Sequence, residues 1–392
     1  MNKNTFKFLS FIICTFFIFA LMPAGLTKNF SSVNTNSYEY YSYQEMTDLL
    51  KDLQKNHEDI MKLESLGKTY EGRDIWMVKL SDNVESDEKE EPGILLIGAT
   101  HGDEKISFEI LIFYIDYMVK NYTMDNIDND NDGFVNEDPI DGKDNDNDGQ
   151  TDEDPSEERV RNSVDNSQIF IVPMLNPDGA EANSRKNCNP NSANGVNINR
   201  NYGYDWGYYD LFPAQYGEIW ASDEKSPNYR GPYGYSENET KAIKMLAESV
   251  KINISLSYHS GAEVVFYPWY HTTAKTPHEN LFISIGEDMA EISGYPLWTG
   301  TDTVFPKPGG TLGTSENFLY GEHKIIAYTV ESYRQKAPTN PTSVYNTCFK
   351  NVGVHLYLCE KAQTIDNEKQ IKSKVFDTPF LRVLSLLHKI LH

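Results

Sequence analysis

Short apolar runs alternate with amphipathic stretches along most of the chain, and no other feature limits the possible folds more strongly. Apolar runs occur in "PGILLIGAT" (92–100), "SQIFIVPMLNPDG" (167–179), "KINISLSYHS" (251–260) and "HKIIAYTVES" (323–332). Helical patterns lie between them, as in "SFEILIFYIDYMVKNY" (107–122), "SENETKAIKMLAESV" (236–250) and "LFISIGEDMAEISG" (281–294). Strands that alternate with helices predict an α/β domain with a largely parallel sheet.

The stretch before these runs has a different pattern. Residues 42–67 repeat apolar side chains with a helical period, which predicts one helix that ends near Gly67. Residues 68–82, "KTYEGRDIWMVKLSD", predict two strands on either side of an "EGR" turn.

Polar residues occur at the end of, or just past, four predicted strands. They are His101, Asn176, His259 and Glu331. Loops at the carboxyl ends of parallel strands are the usual location of sites in α/β proteins. We therefore expect a functional site built from residues that are distant in sequence.

The charge of the chain is concentrated in one segment. The 392 residues carry a formal net charge of −23, and residues 125–158 contribute fifteen Asp or Glu against one Lys, which is −14. Phosphate binding needs clustered Lys and Arg, so this charge argues against a nucleic acid as partner.

The acidic segment 125–158 is an internal repeat with a period of sixteen residues. Each copy places carboxylates at alternate positions before a glycine, and such oxygen ligands around a turn suit Ca²⁺. The candidate calcium ligands are Asp128, Asp130, Asp132, Asp138, Asp144, Asp146, Asp148 and Asp154. An EF-hand needs Glu where this chain has Pro139 and Pro155, so the repeats resemble shorter extracellular calcium loops. The alternative is a disordered acidic linker.

The N-terminus has the order of a secretory signal. Lys3 and Lys7 precede an apolar run that reaches Met22, and small residues follow near Ala24. This order predicts a signal peptide over residues 1–24 and a secreted protein, with a retained membrane anchor as the alternative.

Three cysteines follow the predicted signal: Cys188, Cys348 and Cys359. Export exposes thiols to oxidising conditions. Cys348 and Cys359 are close in sequence, so we expect them to close a short disulfide loop in preference to remaining buried free thiols.

A histidine and a glutamate three residues apart, His101 and Glu104, lie in "GATHGDEKIS" (98–107). The pair alone is a weak signal, because two polar residues often occur at this spacing by chance. Catalytic zinc needs three protein ligands and one open position, and His259 is the third candidate. A single histidine at a strand end is otherwise an ordinary structural residue, so the zinc site needs support from further catalytic residues.

Such residues are present. "NSRKN" supplies Arg185, "GVNINRNY" supplies Asn199 and Arg200, and "AYTVES" places Glu331 at a strand end. A zinc hydrolase needs a base for the attacking water and a cation for the developing oxyanion. An Arg beside an amide binds a terminal carboxylate well, because its planar fork is bidentate. Each residue alone is compatible with a surface ion pair, but the ordered set favours a catalytic site.

In order along the chain, "HGDE", "NPDG", "SRKN", "GVNINRNY", "SYHS" and "LYGEHKIIAYTVES" resemble the zinc carboxypeptidase family, to which pancreatic carboxypeptidases A and B belong. The resemblance implies a catalytic domain over residues 38–362, with residues 125–158 inserted into it. It implies a single α/β domain in which a twisted, mixed sheet of about eight strands lies between helices. It also implies an enzyme that removes C-terminal residues from peptides or proteins.

The resemblance implies a role for each residue that matches a family motif. The implied ligands of one catalytic zinc ion are His101, Glu104 and His259. Glu331 would be the general base that takes a proton from the zinc-bound water and passes it to the leaving amine. Arg185 would stabilise the oxyanion, and Asn199 and Arg200 would hold the C-terminal carboxylate of the substrate.

Four positions bear on how this chain departs from the family. Phe305 stands where the family usually has a mobile Tyr that covers the substrate, and Asp103 stands where the pancreatic enzymes have Arg. Asn197 replaces the Asp that commonly orients the first zinc histidine, although its amide oxygen can still accept the ring N–H. Glu316 aligns near the base of the side-chain pocket, where a carboxylate would favour C-terminal Lys or Arg. The alternative for Glu316 is an exposed loop acid.

Residues 363–392 form an amphipathic tail, for which we expect packing on the domain rather than contact with a membrane surface. The leading prediction is a secreted, monomeric zinc metallocarboxypeptidase that also binds structural Ca²⁺. Two alternatives stay open: a murein peptide hydrolase with the same chemistry, and a non-catalytic, calcium-dependent binding module on the same scaffold.

Overall fold

The computed structural model describes residues 37–122, 157–211, 219–302 and 311–376. Among these residues, eight strands form one mixed sheet. The strands are β1 (Met61–Lys68), β2 (Asp74–Leu80), β3 (Gly93–Ile97), β4 (Gln168–Val172), β5 (Ile254–His259), β6 (Ala262–Tyr267), β7 (Leu297–Thr299) and β8 (Ile326–Tyr333). The helices are α1 (Tyr43–Asn56), α2 (Ile106–Lys120), α3 (Glu157–Asp165), α4 (Pro177–Glu181), α5 (Tyr208–Leu211), α6 (Ile219–Ser222), α7 (Asn238–Ser249), α8 (Glu279–Ser293), α9 (Ser315–His323) and α10 (Pro341–Phe376).

A parallel centre and antiparallel flanks make up the sheet. Its strands run in the order β1-β2-β4-β3-β5-β8-β6-β7. The central strands β4, β3, β5 and β8 are parallel, whereas β2 joins β4 and β6 joins β8 in the antiparallel sense. The predicted fold class, a single α/β domain with a mixed sheet, is confirmed. Because β3, β5 and β8 are parallel neighbours, the residues that follow them meet at one edge of the sheet.

The sheet lies between two apolar cores, because successive side chains of a strand point to opposite faces. On β3, Ile94 and Leu96 join the core that contains α2, whereas Leu95 and Ile97 join the core that contains α7. Helix α2 is buried along nearly its whole length, because α10 packs over its outer side. This double cover explains why the sequence of α2 is apolar on most faces.

The first helix is shorter than the sequence predicted. Helix α1 ends at Asn56, and residues 61–68 form strand β1 at the edge of the sheet instead of further helical turns. The side chain of Gln54 accepts a hydrogen bond from the N–H of Leu63 at 2.6 Å. Strand β1 then pairs with β2 along its length, so tertiary pairing overrides the helical period of this segment.

The predicted disulfide between Cys348 and Cys359 is wrong. Both cysteines are free and buried, and both lie within helix α10. Eleven helical residues separate them by about 16 Å along the axis, whereas a disulfide needs Cα atoms within about 7 Å of each other. The same helix continues past residue 362, and Ile365 is fully buried.

Several predicted features lie outside the described residues. They are the signal peptide 1–24, the candidate calcium ligands between Asp128 and Asp154, Phe305, and the end of the tail, 377–392. In the part of the chain that the structure describes, no helix has the length and apolar character that crossing a membrane requires.

Candidate active site

Three side chains from separate elements converge beside the carboxyl ends of β3 and β5. His101 follows β3, Glu104 precedes α2, and His259 is the last residue of β5. The Nδ1 atoms of His101 and His259 are 3.0 Å apart. Glu104 places one carboxylate oxygen 3.0 Å from Nδ1 of His101 and the other 2.8 Å from Nδ1 of His259. The three predicted ligands therefore meet, although 155 residues separate Glu104 from His259.

The protonation states of His101 and Glu104 suit metal binding, whereas the raised pKa of His259 favours a ring proton that a metal ion would displace. Burial, together with the charge of Arg185, lowers the pKa of His101 to about 3, so this ring is neutral at physiological pH. Burial opposes the charged form of Glu104, but His101 and His259 hold the pKa of this carboxyl well below its usual value. Burial also opposes the charged form of His259, and Glu104 raises the pKa of that ring. Neutral imidazole and ionised carboxylate are the forms that bind metals.

The donor set fits zinc. Two imidazole nitrogens and one carboxylate are the protein ligands of catalytic zinc sites that keep one position open. Tetrahedral zinc with bonds of about 2.0–2.1 Å holds its ligand atoms about 3.3 Å apart. The two Nδ1 atoms are 3.0 Å apart, and each lies 2.8–3.0 Å from a different oxygen of Glu104, so a small outward relaxation accommodates the ion.

The outer ring nitrogens of both histidines also have partners. Nε2 of His101 lies 3.2 Å from Oδ1 of Asn197, so the amide oxygen accepts the ring N–H, as the sequence indicated. Nε2 of His259 lies 3.3 Å from Oγ of Ser257 and 3.4 Å from Nδ2 of Asn199. Partners on the outer nitrogens orient the rings and determine which nitrogen faces the metal.

Glu331 lies next to the triad on β8, directly opposite His259 in the β5–β8 register. Its Oε2 atom is buried and has no hydrogen-bond partner among the described residues. Burial raises the pKa of this carboxyl, against the opposing effect of His259. A carboxyl with a raised pKa and an unpaired oxygen is suited to accept and return a proton.

Predicted cationic and amide groups surround the triad. Nη1 of Arg185 donates to Oε1 of Glu104 at 2.9 Å, while 28% of the Arg185 side chain is exposed. Asn199 is buried and contacts His259 through its amide. Arg200 follows Asn199 in one short 3-10 turn, and its guanidinium donates to the backbone carbonyl of Asn199. The structure thus brings all three residues to the same region.

Glu316 lies in the first turn of α9 and is 1% exposed, which excludes the exposed-loop alternative. The preceding residue, Ser315, donates from its backbone N–H to Oδ1 of Asn199 at 3.2 Å. The hydroxyl of Ser315 donates to Oε1 of Glu316 at 2.8 Å, whereas Oε2 of Glu316 has no partner within the described part of the chain. A buried carboxylate oxygen without a partner is costly, so a bound group is expected to supply one.

The sequence analysis did not predict two residues that lie near Glu316. Tyr270 and Thr329 have buried hydroxyls that face each other, and neither forms a well-aligned hydrogen bond with a described residue. Thr329 pairs with Ser257 two residues before the pair of Glu331 and His259. Strand alternation could have identified Thr329, because residues two apart share a face. No pattern in the sequence pointed to Tyr270, which lies in a loop after β6.

One predicted strand-end residue has a structural role instead. Asn176 is the N-cap of α4, and its side-chain oxygen accepts a hydrogen bond from the N–H of Gly179 at 2.9 Å.

Asp103, which lies between His101 and Glu104 in the sequence, forms an ion pair with Lys336 at 2.5 Å.

The fold and the donor set define an α/β protein with three side chains that could hold one metal ion at the carboxyl edge of its sheet. Residues 46–351, most of the chain, match the family model described as zinc carboxypeptidase. The chain belongs to the zinc carboxypeptidase family, which confirms the resemblance seen in the sequence.

Individual relatives agree with this membership. A zinc carboxypeptidase from Saccharothrix mutabilis subsp. capreolus is 30% identical over 327 residues, which cover 79% of this chain and 65% of the relative. Human carboxypeptidase D is 25% identical over 272 residues, which cover 67% of this chain and 16% of the relative. Mouse carboxypeptidase Z is 25% identical over 67% of this chain and 35% of the relative. The chain thus spans less than two thirds of the length of these relatives.

Solved structures share the fold. The crystal structure of thrombin activatable fibrinolysis inhibitor matches with a TM-score of 0.65 at 17% identity, over 83% of this chain and 75% of that chain. Carboxypeptidase A from Helicoverpa armigera matches with a TM-score of 0.61 at 17% identity, over 83% of this chain and 74% of that chain. At this identity the likeness concerns the fold alone.

Proposed function

We propose that this protein is a zinc-dependent metallocarboxypeptidase that hydrolyses the C-terminal peptide bond of peptides or proteins. The observation that carries the proposal is the convergence of His101, Glu104 and His259 beside the buried carboxyl of Glu331. Membership of the zinc carboxypeptidase family supports the reaction class.

His101, Glu104 and His259 would hold the zinc ion through Nδ1, a carboxylate oxygen and Nδ1, respectively. Zinc bound there would supply a Lewis acid that polarises the scissile carbonyl and lowers the pKa of water. Asn197 orients the ring of His101 from outside the ligand set through the contact of 3.2 Å at Nε2.

Glu331 is the general base in this proposal. Its Oε2 atom, which has no partner among the described residues, accepts a proton from the attacking water. The same atom then delivers that proton to the leaving amine nitrogen, so no net proton stays on the protein. Burial raises the pKa of this carboxyl and brings it toward the range that favours both transfers.

Arg185, Asn199 and Arg200 form the cationic and amide side of the site. The partly exposed guanidinium of Arg185 contacts Glu104, so a small rotation brings its N–H groups to the oxyanion of the reacting carbonyl. Asn199 and Arg200 bind the terminal carboxylate of the substrate, for which the planar guanidinium fork is well shaped. Binding of that carboxylate restricts hydrolysis to the last peptide bond.

Glu316 determines the preferred C-terminal side chain. It is buried, one residue from the Ser315 N–H that holds Asn199, and its Oε2 atom has no partner among the described residues. A C-terminal Lys or Arg would place its cation against this oxygen, with the hydroxyls of Tyr270 and Thr329 close by.

Three finer proposals come from parts of the sequence outside the described residues. Residues 1–24 direct secretion, the repeats in 125–158 bind structural Ca²⁺, and Phe305 closes the substrate site by apolar contact. The expected oligomeric state is a monomer.

The test is a peptide library whose members differ only in the last residue, incubated with zinc-loaded protein lacking residues 1–24 and read by mass spectrometry. We expect removal of single C-terminal residues, fastest for Lys and Arg, and loss of activity on zinc chelation. Internal cleavage, or cleavage that chelation leaves unchanged, would contradict the proposal. A tripeptide that ends in diaminopimelate distinguishes a cell-wall substrate, and a calcium chelator should lower the melting temperature without changing zinc content.

A further inference from the structure

Two buried asparagines bound residues 187–201, a segment that contains Arg200 and begins two residues after Arg185. Asn187 is 2% exposed and Asn201 is fully buried. Both side chains contact one group of residues at the start of α7, which we call the α7 platform. The platform consists of Ser236, Glu237, Glu239 and Thr240.

Asn187 links the first end of this segment to the platform by hydrogen bonds. Its Nδ2 atom donates to Oε2 of Glu237 at 2.8 Å and to Oε2 of Glu239 at 3.1 Å, so one amide bridges two buried carboxyl groups. Its Oδ1 atom accepts from the N–H of Val196 at 2.9 Å, and its own N–H donates to the carbonyl of Val196 at 3.0 Å. Asn187 therefore closes the loop 187–196 and attaches the closed end to the platform.

Asn201, directly after Arg200, links the other end of the segment to the platform by hydrogen bonds. Its Oδ1 atom accepts from the backbone N–H of Glu237 at 3.1 Å and from the hydroxyl of Thr240 at 2.8 Å. Its Nδ2 atom donates to Oγ of Ser236 at 2.8 Å. Both ends of the segment are thus held by neighbouring residues of a single helix start.

We propose that the α7 platform positions Arg185 and Arg200 relative to each other, with Asn187 as the central positioning residue. This inference rests on the proposed function, which gives the two arginines their roles. In this proposal Asn187 and the platform act through the two arginines and not on the substrate directly. Any shift of Asn187 would take the side-chain donor from Oε2 of Glu239 and one of the donors from Glu237, and that cost makes its position rigid.

The test compares Asn187→Ala with Asn189→Ala on the acylated dipeptide benzoyl-glycyl-lysine. Nδ2 of Asn189 donates to the same Glu237 at 2.9 Å, but this residue does not close the loop onto Val196. We expect Asn187→Ala to lower kcat/KM about tenfold at unchanged zinc content, and Asn189→Ala to stay within about twofold. Equal losses in both variants, or a loss below about twofold in Asn187→Ala, would overturn the proposal.

Hydrogen exchange supplies a readout that needs no turnover. The amide N–H of Arg200 donates to the carbonyl of Asn197 at 3.0 Å, and we expect its exchange to accelerate in Asn187→Ala but not in Asn189→Ala. If wild-type protein fails to hydrolyse the dipeptide, the proposed function fails. The exchange rates then decide by themselves whether the platform orders this segment.

A charge exchange keeps the proposal testable if Asn187→Ala does not fold. Asn187→Asp adds a carboxylate beside Glu237 and Glu239, and we expect it to lose kcat/KM more than Asn187→Ala. In the double variant Asn187→Asp/Glu237→Gln, the new amide at position 237 can donate to the new carboxylate at position 187. This variant should therefore recover most of the kcat/KM that Asn187→Asp loses. Failure of the double variant to exceed Asn187→Asp would contradict the positioning role.

Discussion

Two parts of the site differ in whether their buried polar atoms have hydrogen-bond partners. We call them the metal end (His101, Glu104 and His259) and the pocket end (Glu316, Tyr270 and Thr329). At the metal end, the ring nitrogens of His101 and His259 and the oxygens of Glu104 all have partners within 3.4 Å. At the pocket end, Oε2 of Glu316 and the hydroxyl of Tyr270 have no well-formed hydrogen bond among the described residues. Burial is nearly complete at both ends, so exposure does not explain the difference.

The difference indicates what each end receives. At the metal end, hydrogen-bond partners on the outer nitrogens already orient each histidine ring, as a metal site requires. The pocket instead contains polar groups that folding leaves unsatisfied at about 1–3 kcal/mol each. A substrate that pairs with them recovers this cost, which is how a site discriminates among side chains.

The largest expected effect falls on Glu331, which lies between the two ends. Glu331→Gln keeps the shape of the side chain but removes the proton acceptor, so kcat should fall about a thousandfold. Zinc content should stay at one equivalent, measured by plasma emission on the same sample. A variant that keeps more than a tenth of wild-type kcat would refute the role of Glu331 as general base.

Glu316→Gln tests the pocket end. Loss of a buried ionic partner should reduce the preference for C-terminal Lys over C-terminal Leu about a hundredfold, with little change in kcat/KM for Leu. Competition between the two peptides measures this ratio directly. Glu322→Gln, on the same helix, is the matched control and should leave the ratio unchanged. An unchanged ratio in Glu316→Gln would assign specificity to other residues.

Asn197 tests the metal end. Asn197→Ala removes the acceptor for the outer N–H of His101, and zinc affinity should fall about tenfold. Asn197→Asp keeps an oxygen in the same place and should bind zinc at least as tightly as wild type. Competition with a chromogenic chelator measures both affinities. Equal affinities in all three proteins would show that ring orientation does not depend on this contact.

Glu109 on α2 also has a buried carboxylate oxygen without a hydrogen-bond partner among the described residues. It therefore tests whether such an oxygen is enough to identify a functional site. Burial raises the pKa of its carboxyl from 4.5 to about 8, and Tyr38 donates to one oxygen. The folded state keeps a proton that the unfolded chain releases, so this group makes stability fall as pH rises from 4.5 to 8. Glu109→Gln should remove a slope of about 1.4 kcal/mol per pH unit and leave kcat unchanged. Urea unfolding at several pH values measures this slope, and an identical slope in both proteins would contradict the assignment.

The sequence predicted the metal end well, and the reason is topological. Apolar runs identified β3, β5 and β8, and parallel neighbours bring their carboxyl ends together. Polar residues at those ends, His101, His259 and Glu331, then had to lie close to one another. The family motifs added Arg185 and Arg200, which no strand pattern indicates.

The remaining structure depends on contacts that leave little trace in local sequence. Strand β7 has three residues and exists because it pairs with β6. Residues 61–68 have a helical period but extend along β2. The cysteine spacing favoured a disulfide because the long helix α10 was not foreseen. Tyr270 lies close to Glu316 but belongs to a loop, where neither period nor motif applies.

The most direct test of the central claim uses two peptides with the same sequence, one ending in a free lysine carboxylate and the other in lysine amide. Zinc is added stepwise to the metal-free protein, and release of the C-terminal residue is followed by mass spectrometry. We predict that cleavage of the free-acid peptide rises with zinc up to one equivalent, while the amide peptide is cleaved at least a hundredfold more slowly. Equal cleavage of both peptides, or cleavage that does not depend on zinc, would contradict a zinc carboxypeptidase site.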